Sequence, residues 1–389
     1  MGQASAWQEI LGFLRGWKPG YRALRSLWRG ARGLFYEVVR RMGPRDSRFG
    51  GPRGAFSALA QLQAGTREGR ILFLQQEVPP ALPGGVRQLD GLGQDRPLAW
   101  PVFWTRHREA RLAGRYLALL DQEKRICNEA TYQQGDHFGR DANYDYVVLP
   151  RAERLEGPWM SLVSLFGQHF YHWLHDELPR LWALSEFPKE TRILISADAP
   201  SYVRDTLAWL GLSDRVRETR ARHLIVEDFY LSAPTAMYGF PNPFGLRFLR
   251  ERLLPFAAPL ESTPKRIYLQ RSGKTRGIAN EMEVRDFFVR RGWALVDPEK
   301  SSLAEQMRLF QQAEAICGLH GGAFTNLVWC SPGCRVLELF GEGFLNGGYE
   351  GMAQCLDLQH RFLLFPDDGQ MRARADLTRI EAVLQEWGI

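Results

Sequence analysis

The run Ala315-Ile316-Cys317-Gly318-Leu319-His320-Gly321-Gly322-Ala323-Phe324-Thr325-Asn326 limits what this chain can fold into more than any other stretch. A short apolar strand ends on glycine, a histidine follows, then two more glycines, and a helix begins. Such a strand–turn–helix junction belongs to an α/β fold, and its missing side chains let a ligand come close to the backbone. The unpaired N–H groups of the new helix, with the positive end of its dipole, favour a phosphate there. His320 adds a donor that is charged or neutral near pH 7. Taken alone, the same residues also describe a tight turn with no ligand.

A length of 389 residues exceeds one ordinary core, so two globular domains with additions are expected. The net charge is +6, but its location matters. Residues 1–48 hold ten Arg or Lys against Glu9, Glu37 and Asp46, a balance of +7, which leaves −1 for the rest. The body is therefore neutral, and no nucleic-acid partner is expected of it. Within the basic stretch, Trp7, Ile10, Leu11, Leu14, Trp17, Tyr21, Leu24, Leu27 and Trp28 recur at helical steps of three and four, with arginines between them. Residues 1–48 thus read as a basic amphipathic helical arm. It suits an anionic membrane surface, or packs on the body with solvated arginines. A Gly/Pro/Arg linker follows over 43–56. No apolar segment reaches about 18 residues, and no secretory signal pattern opens the chain, so neither a spanning helix nor export is expected. The five cysteines are odd in number and scattered, which points to reduced thiols.

From about residue 70 onward, strand-like runs alternate with helical ones. Strands are expected at Ile71–Gln75, Tyr146–Leu149, Arg192–Ser196, Phe229–Ser232, Arg266–Gln270, Ala294–Val296, Ala315–Gly318 and Arg335–Phe340. Helices are expected at Tyr202–Leu210, Glu281–Arg290, Leu303–Ala313 and Thr325–Cys330, with a last one, Leu377–Trp387, packing back on the first domain. The alternation argues for parallel sheets covered by helices on both faces. The aromatics Trp100, Phe103, Trp104, Tyr132, Phe138, Tyr144 and Trp159 read mostly as core.

Two further clusters carry chemistry. In Gly167-Gln168-His169-Phe170-Tyr171-His172-Trp173-Leu174-His175-Asp176-Glu177-Leu178-Pro179-Arg180-Leu181, a helix puts His172 and Asp176 within one turn on one face. Such a pair suits a general base, with Asp176 orienting His172 or itself taking the proton. A purely structural hydrogen bond, or a metal site of His169, His172 and Asp176, are the other readings. Pro179 ends or kinks this helix just past Asp176. In the second cluster, strand 266–270 delivers Arg271, and the loop after it presents Ser272, Lys274 and Arg276, cations that suit a diphosphate. Asn280 and Glu283 look like a helix cap. Glu338, at the carboxyl end of the strand Arg335–Phe340, needs buried partners, for which ribose hydroxyls serve.

In this order, the three clusters resemble glycosyltransferase family 61. The matching stretches are Phe170 to Leu181, Arg271 to Glu281, and Gly318 to Glu338. The resemblance implies a GT-B architecture of two Rossmann-like domains facing a cleft, an acceptor and base domain over 49–255 and a nucleotide-sugar domain over 256–389. It implies inverting, metal-independent transfer from a nucleoside-diphosphate sugar, with a UDP-sugar as the first expectation and no cofactor, to a glycan or glycolipid. Asp176 or His172 is then the base. Arg271, Ser272, Arg276, His320 and the amides of Gly321, Gly322 and Ala323 hold the donor diphosphate. Glu338 and Asn326 meet the nucleoside, and His169 and His175 the acceptor. His169 stands where the family usually has Asn, and Ala323 where it usually has Gly. A surface-polysaccharide enzyme, peripheral at the cytoplasmic face of the cell membrane, is the implied setting. An epimerase on the same scaffold, or a non-catalytic carbohydrate-binding protein, are the alternatives.

Overall fold

The computed structural model of the protein describes residues 55–73, 101–123, 125–130, 150–236, 241–258, 260–271, 276–368 and 372–389. The basic arm, nearly all of the linker, the strand expected at Tyr146–Leu149, and Ser272 and Lys274 lie outside them.

The chain is a mixed α/β protein with two principal sheets. The first holds, among the described residues, β1 (Ala55–Phe56), β2 (Gly69–Phe73), β3 (Val102–Ala113), β4 (Ala118–Leu120), β5 (Ile126–Cys127), β6 (Glu153–Ser161), β7 (Arg192–Ser196), β8 (Val216–Thr219) and β9 (His223–Ser232). Their order is β1-β5-β4-β3-β9-β6-β7-β8, with β2 beside β3. Helices α1 (Ala58–Gln63), α2 (Ser201–Trp209) and α3 (Pro243–Leu253) accompany it. The neighbours β9-β6-β7-β8 run parallel. On the other side of β9, β3 is antiparallel to β9, β2 and β4. The uniformly parallel first sheet expected from the alternation is therefore corrected to a mixed one. For β3 and β4 the cause is the short turn between Ala113 and Ala118, which cannot make the crossover that parallel pairing needs.

The second sheet is parallel throughout, in the order β12-β10-β13-β14-β15. Its strands are β10 (Arg266–Leu269), β12 (Ala294–Val296), β13 (Ala315–Leu319), β14 (Arg335–Gly341) and β15 (Gln359–Phe365). A small pair, β11 (Gly277–Ile278) and β16 (Arg372–Ala373), lies beside it. Helices α4 (Glu281–Arg290), α5 (Leu303–Gln312), a 3₁₀ helix (Gly322–Trp329), α6 (Gly348–Cys355) and α7 (Leu377–Glu386) join or follow these strands. The capping box Ser302–Glu305 starts α5, as its sequence dictates. In chain order the strands lie 2-1-3-4-5, so connections leave β10 and β13 in opposite directions. Ligands of such sheets bind at the carboxyl ends of the strands where the order reverses. Arg271 follows β10 and the glycine turn follows β13, so both stand at that point.

Two local expectations are corrected. The last helix does not return to the first sheet. Ile380, Val383 and Leu384 share one face of α7 and pack with Val284, Phe287, Phe288 and Trp293 of the second unit, and Arg291 pairs with Glu381. Asn280 precedes α4 without capping it. Its side chain instead pairs with the Ala375 backbone, donating to the carbonyl at 3.0 Å and accepting from the N–H at 2.9 Å.

The largest apolar cluster runs through both sheets. Trp173, Leu174, Leu249 and Leu253 from the first unit share it with Phe324, Leu327, Val328 and Trp329 from the second. Burying each such side chain contributes about 1.5–3 kcal/mol. Arg250 of α3 closes the seam, its Nη1 donating to the Val328 and Cys330 carbonyls at 2.7 and 2.8 Å. These carbonyls end the 322–329 helix and find no partners in it. Arg250→Met should therefore lower unfolding stability by about 2–4 kcal/mol, since it strands two buried acceptors. Urea denaturation checks this, and a loss below about 0.5 kcal/mol would show that the seam does not depend on Arg250.

Candidate functional site

Residues 170–185 form one α turn (Phe170–His172), a π turn (Trp173–Glu177) and a 3₁₀ stretch (Leu178–Ser185), not one regular helix. Pro179 is the cause, because it has no N–H for the His175 carbonyl four residues back. Thr235 Oγ1 donates to that carbonyl at 2.9 Å, while the Leu178 N–H reaches back five residues to Trp173. His172 and Asp176 stay together through this widened turn, with Nδ1 2.5 Å from Oδ2. An ionised carboxylate only accepts, so Nδ1 carries the hydrogen and Nε2 is the basic nitrogen of the ring. Asp176 is fully buried, and His172 is half-buried with Phe166 stacked on it at 4.9 Å. The adjacent Glu177 has a different task. It forms a buried ion pair with Arg180, whose Nε donates to the Ser232 carbonyl at 2.6 Å, fastening this segment to the end of β9.

Opposite stands the glycine turn. Gly318 lies against β10 so tightly that a Cβ there would come 2.8 Å from Leu269 Cβ. Arg271 then reaches across the turn and donates to the His320 carbonyl, filling the space that a Cβ on Gly321 would need. Gly322 has nothing within 4 Å of its missing Cβ and is open to the cavity. Arg276 lies 4.1 Å from the Phe344 ring centre, and its Nη1 is buried with no hydrogen-bond partner among the described residues. Burial lowers the pKa of both guanidiniums, and for Arg276 the Arg271 charge adds to this. Neither pairs with a described carboxylate. Two partly desolvated cations beside an open glycine turn are the chemistry that an anion would meet.

His320 is held from behind. Its Nδ1 lies 2.5 Å from Glu338 Oε1, and the other Glu338 oxygen takes His360 Nε2 at 2.9 Å. Burial raises the Glu338 pKa, but the two histidine bonds outweigh it and bring the carboxyl below its ordinary value. His320 also stacks on Phe340 at 4.8 Å, which fixes the plane of its ring.

Two cavities meet at Gly321 and Gly322. One, of about 470 Å³, is lined by His169, Tyr171, His172, Arg276, His320 and Tyr349. The other, of about 560 Å³, runs from Arg271 between α2 and the turn at 297–302. His172, the arginines and the glycine turn therefore line two cavities that meet at Gly321 and Gly322.

Several expected roles change. Glu338 is fully buried with both oxygens occupied by histidines, so it orients His320 and is closed to a ribose. Asn326 lies at the edge of the 560 Å³ cavity, its side chain donating to Gln306 Oε1 at 2.8 Å and accepting from Trp329 Nε1 at 3.1 Å. His175 is buried against Tyr171, 2 % exposed, and cannot meet an acceptor, whereas His169 is exposed on the 470 Å³ cavity. Ala323 borders the 560 Å³ cavity. Ser272 lies outside the described residues. The sequence offered no sign of His360, a single histidine in a strand with no motif around it.

Burial pushes the pKa of His175 down to about 3 from 6.5. The unfolded chain binds that proton below about pH 6.5 and the folded protein only near 3. Stability from this group is thus complete above about pH 6.5 and drains away as pH falls toward 3. Denaturation midpoints measured from pH 8 to 4 should fall, and His175→Phe should flatten the slope. An unchanged slope would place the acid sensitivity elsewhere, for example on His107, which burial also pushes down to about 3.

Residues 170–337 match the family model described as Glycosyltransferase 61, a span that holds the His–Asp pair, both arginines and the whole glycine turn. No curated protein matches the chain at a significant level. The match over that span supports membership of glycosyltransferase family 61 and, with it, glycosyltransferase activity.

Proposed function

We propose that the protein transfers a sugar, with inversion and without a metal ion, from a nucleoside-diphosphate sugar to a hydroxyl of a glycan or glycolipid. The observation that carries this reading is the facing of His172–Asp176 and the arginine-lined glycine turn across one cleft. His172 is the base. Its side chain reaches the cavity, whereas Asp176 lies fully buried behind it and holds the imidazole in place. The acceptor hydroxyl gives its proton to Nε2 as its oxygen bonds to the anomeric carbon, and Asp176 stabilises the imidazolium formed. The bond from that carbon to the diphosphate oxygen breaks on the opposite face, its electron pair leaving with the diphosphate. Arg271, Arg276, His320 and the amides of 321–323 take up the charge, the task a divalent ion performs elsewhere. A GT-B-like division, with acceptor and base on the first unit and donor on the second, follows from this assignment.

Release of nucleoside diphosphate from a panel of donors, with EDTA present, tests the reading. We expect turnover in EDTA, a fall of about 10²–10⁴ in kcat for His172→Ala and Asp176→Asn, and a similar loss for Arg271→Ala. Gly322→Leu should fold normally yet lose donor binding, because its side chain fills the open turn. Strict metal dependence, or full activity without His172, would sink the mechanism.

Among the described residues no helix is long and apolar enough to cross a membrane. We place the enzyme at the cytoplasmic face of the cell membrane, held there by the cationic residues 1–48 and acting in surface-polysaccharide synthesis. The full chain should co-sediment with phosphatidylglycerol vesicles at low salt and not with phosphatidylcholine ones. Changing Arg22, Arg25, Arg29 and Arg32 to Glu should abolish this; equal sedimentation of that variant would rule the arm out as the anchor.

A further inference from the structure

We infer that the nucleoside half of the donor occupies the 560 Å³ cavity, and that α2 of the first unit forms part of the base-selecting wall. The inference rests on the diphosphate reading above. The two cavities share Gly321 and Gly322, so a diphosphate at the turn has one neighbour in each. The transferred sugar must lie beside His172, which lines the 470 Å³ cavity. The nucleoside, at the other end of the diphosphate, is left with the 560 Å³ cavity.

The chemistry of that cavity fits. At the turn it begins with Arg271; farther out it is bordered by Asp297 and Glu299 on the turn after β12, and by Asp205 on α2. It is thus cationic at one end and carboxylate-lined at the other, where Lys300 meets Asp297 at 3.2 Å and Asp205 stands exposed on its helix. A nucleoside diphosphate has matching ends, a polyanion and then ribose hydroxyls and base N–H groups that donate to carboxylates. A second polyanion at the far end would be repelled. Asp297 directly follows the strand next to β10, where carboxylates of doubly wound sheets meet ribose. Trp209 supplies an aromatic wall. It is held parallel to Phe256, ring centres 5.5 Å apart and planes 10° apart, and a planar base can stack beside such a ring. The inference also supplies the nucleoside contacts that Glu338 is too occupied to make.

Titration calorimetry on the full chain with UDP, GDP, ADP, CDP and inorganic pyrophosphate tests it. One nucleoside diphosphate should bind at least ~10-fold tighter than pyrophosphate. Trp209→Ala and Asp205→Ala should each cut that ratio to within about threefold, with pyrophosphate affinity unchanged and Trp209→Phe restoring most of it. Asp205 is exposed on its helix, so its replacement does not endanger the fold. If the ratio ignores both substitutions, or if no nucleoside diphosphate outbinds pyrophosphate, the inference is overturned. Failure of the diphosphate reading looks different, because pyrophosphate would then bind no more weakly to Arg271→Ala than to the unaltered protein.

Discussion

The close approach of β10 and β13 sets the geometry of the whole cleft, and Gly318 permits it. A Cβ at that position would meet Leu269 Cβ at 2.8 Å and its carbonyl oxygen at 3.1 Å, forcing the strands apart. With them in contact, Arg271 leaves β10 at the right level to lie across the turn after β13 and hold the His320 carbonyl. The three glycines answer three different demands. Gly318 serves strand packing, Gly321 leaves room for a guanidinium, and Gly322 leaves room for something the protein itself does not supply. Only the last is an empty space, and it points into the place where the two cavities join.

Charge follows from that geometry. Partly buried guanidiniums with no anion are costly, and the arrangement makes sense only if an anion arrives. Two of the imidazoles that reach the cleft, His172 and His320, share one construction: each gives Nδ1 to a fully buried carboxylate, Asp176 or Glu338. Their surroundings separate their roles. His320 sits beside the turn that Arg271 holds. His172 lies on the opposite wall, with Phe166 stacked on it, and suits a base. In the proposed reaction the same pairing thus accepts a proton on one wall and steadies a leaving anion on the other.

Much of this was legible in the residues, and the failures have physical causes. The strand–glycine–helix junction, the cations after β10 and the His172–Asp176 spacing depend on local backbone chemistry, which sequence reports directly. Arg192–Ser196, Ala294–Val296 and Glu281–Arg290 have the bounds that their patterns indicate. The long strand β3 was missed because its buried positions are interrupted by charged ones, such as Arg106, which is held by Asp228 across the strand pair. The partners of Glu338 were invisible for a related reason. A carboxylate at a strand end looks the same in sequence whether it meets a ribose or two histidines, one of them 22 residues away on the neighbouring strand. The π turn at 173–177 arises from Pro179 together with Thr235, a pairing that only the folded chain brings about.

That turn also explains how the two sides of the reaction are kept in register. The segment bearing His172 and the helix whose first amides face the cleft are not on independently cored bodies. Trp173 and Leu174 share a buried cluster with Phe324, Leu327 and Val328, and Tyr171 meets Tyr349 edge-on at 5.8 Å. The separation of His172 and the glycine turn is therefore set by close packing, which resists change of even a methylene. Such fixing is what electrostatic and proximity catalysis require, because donors must already be aimed when charge develops. Adaptation to different ligands then falls to the margins of the cleft. There, α2 and the 297–302 turn face each other across open volume, so selection of the nucleoside can vary while the reacting centre keeps its dimensions.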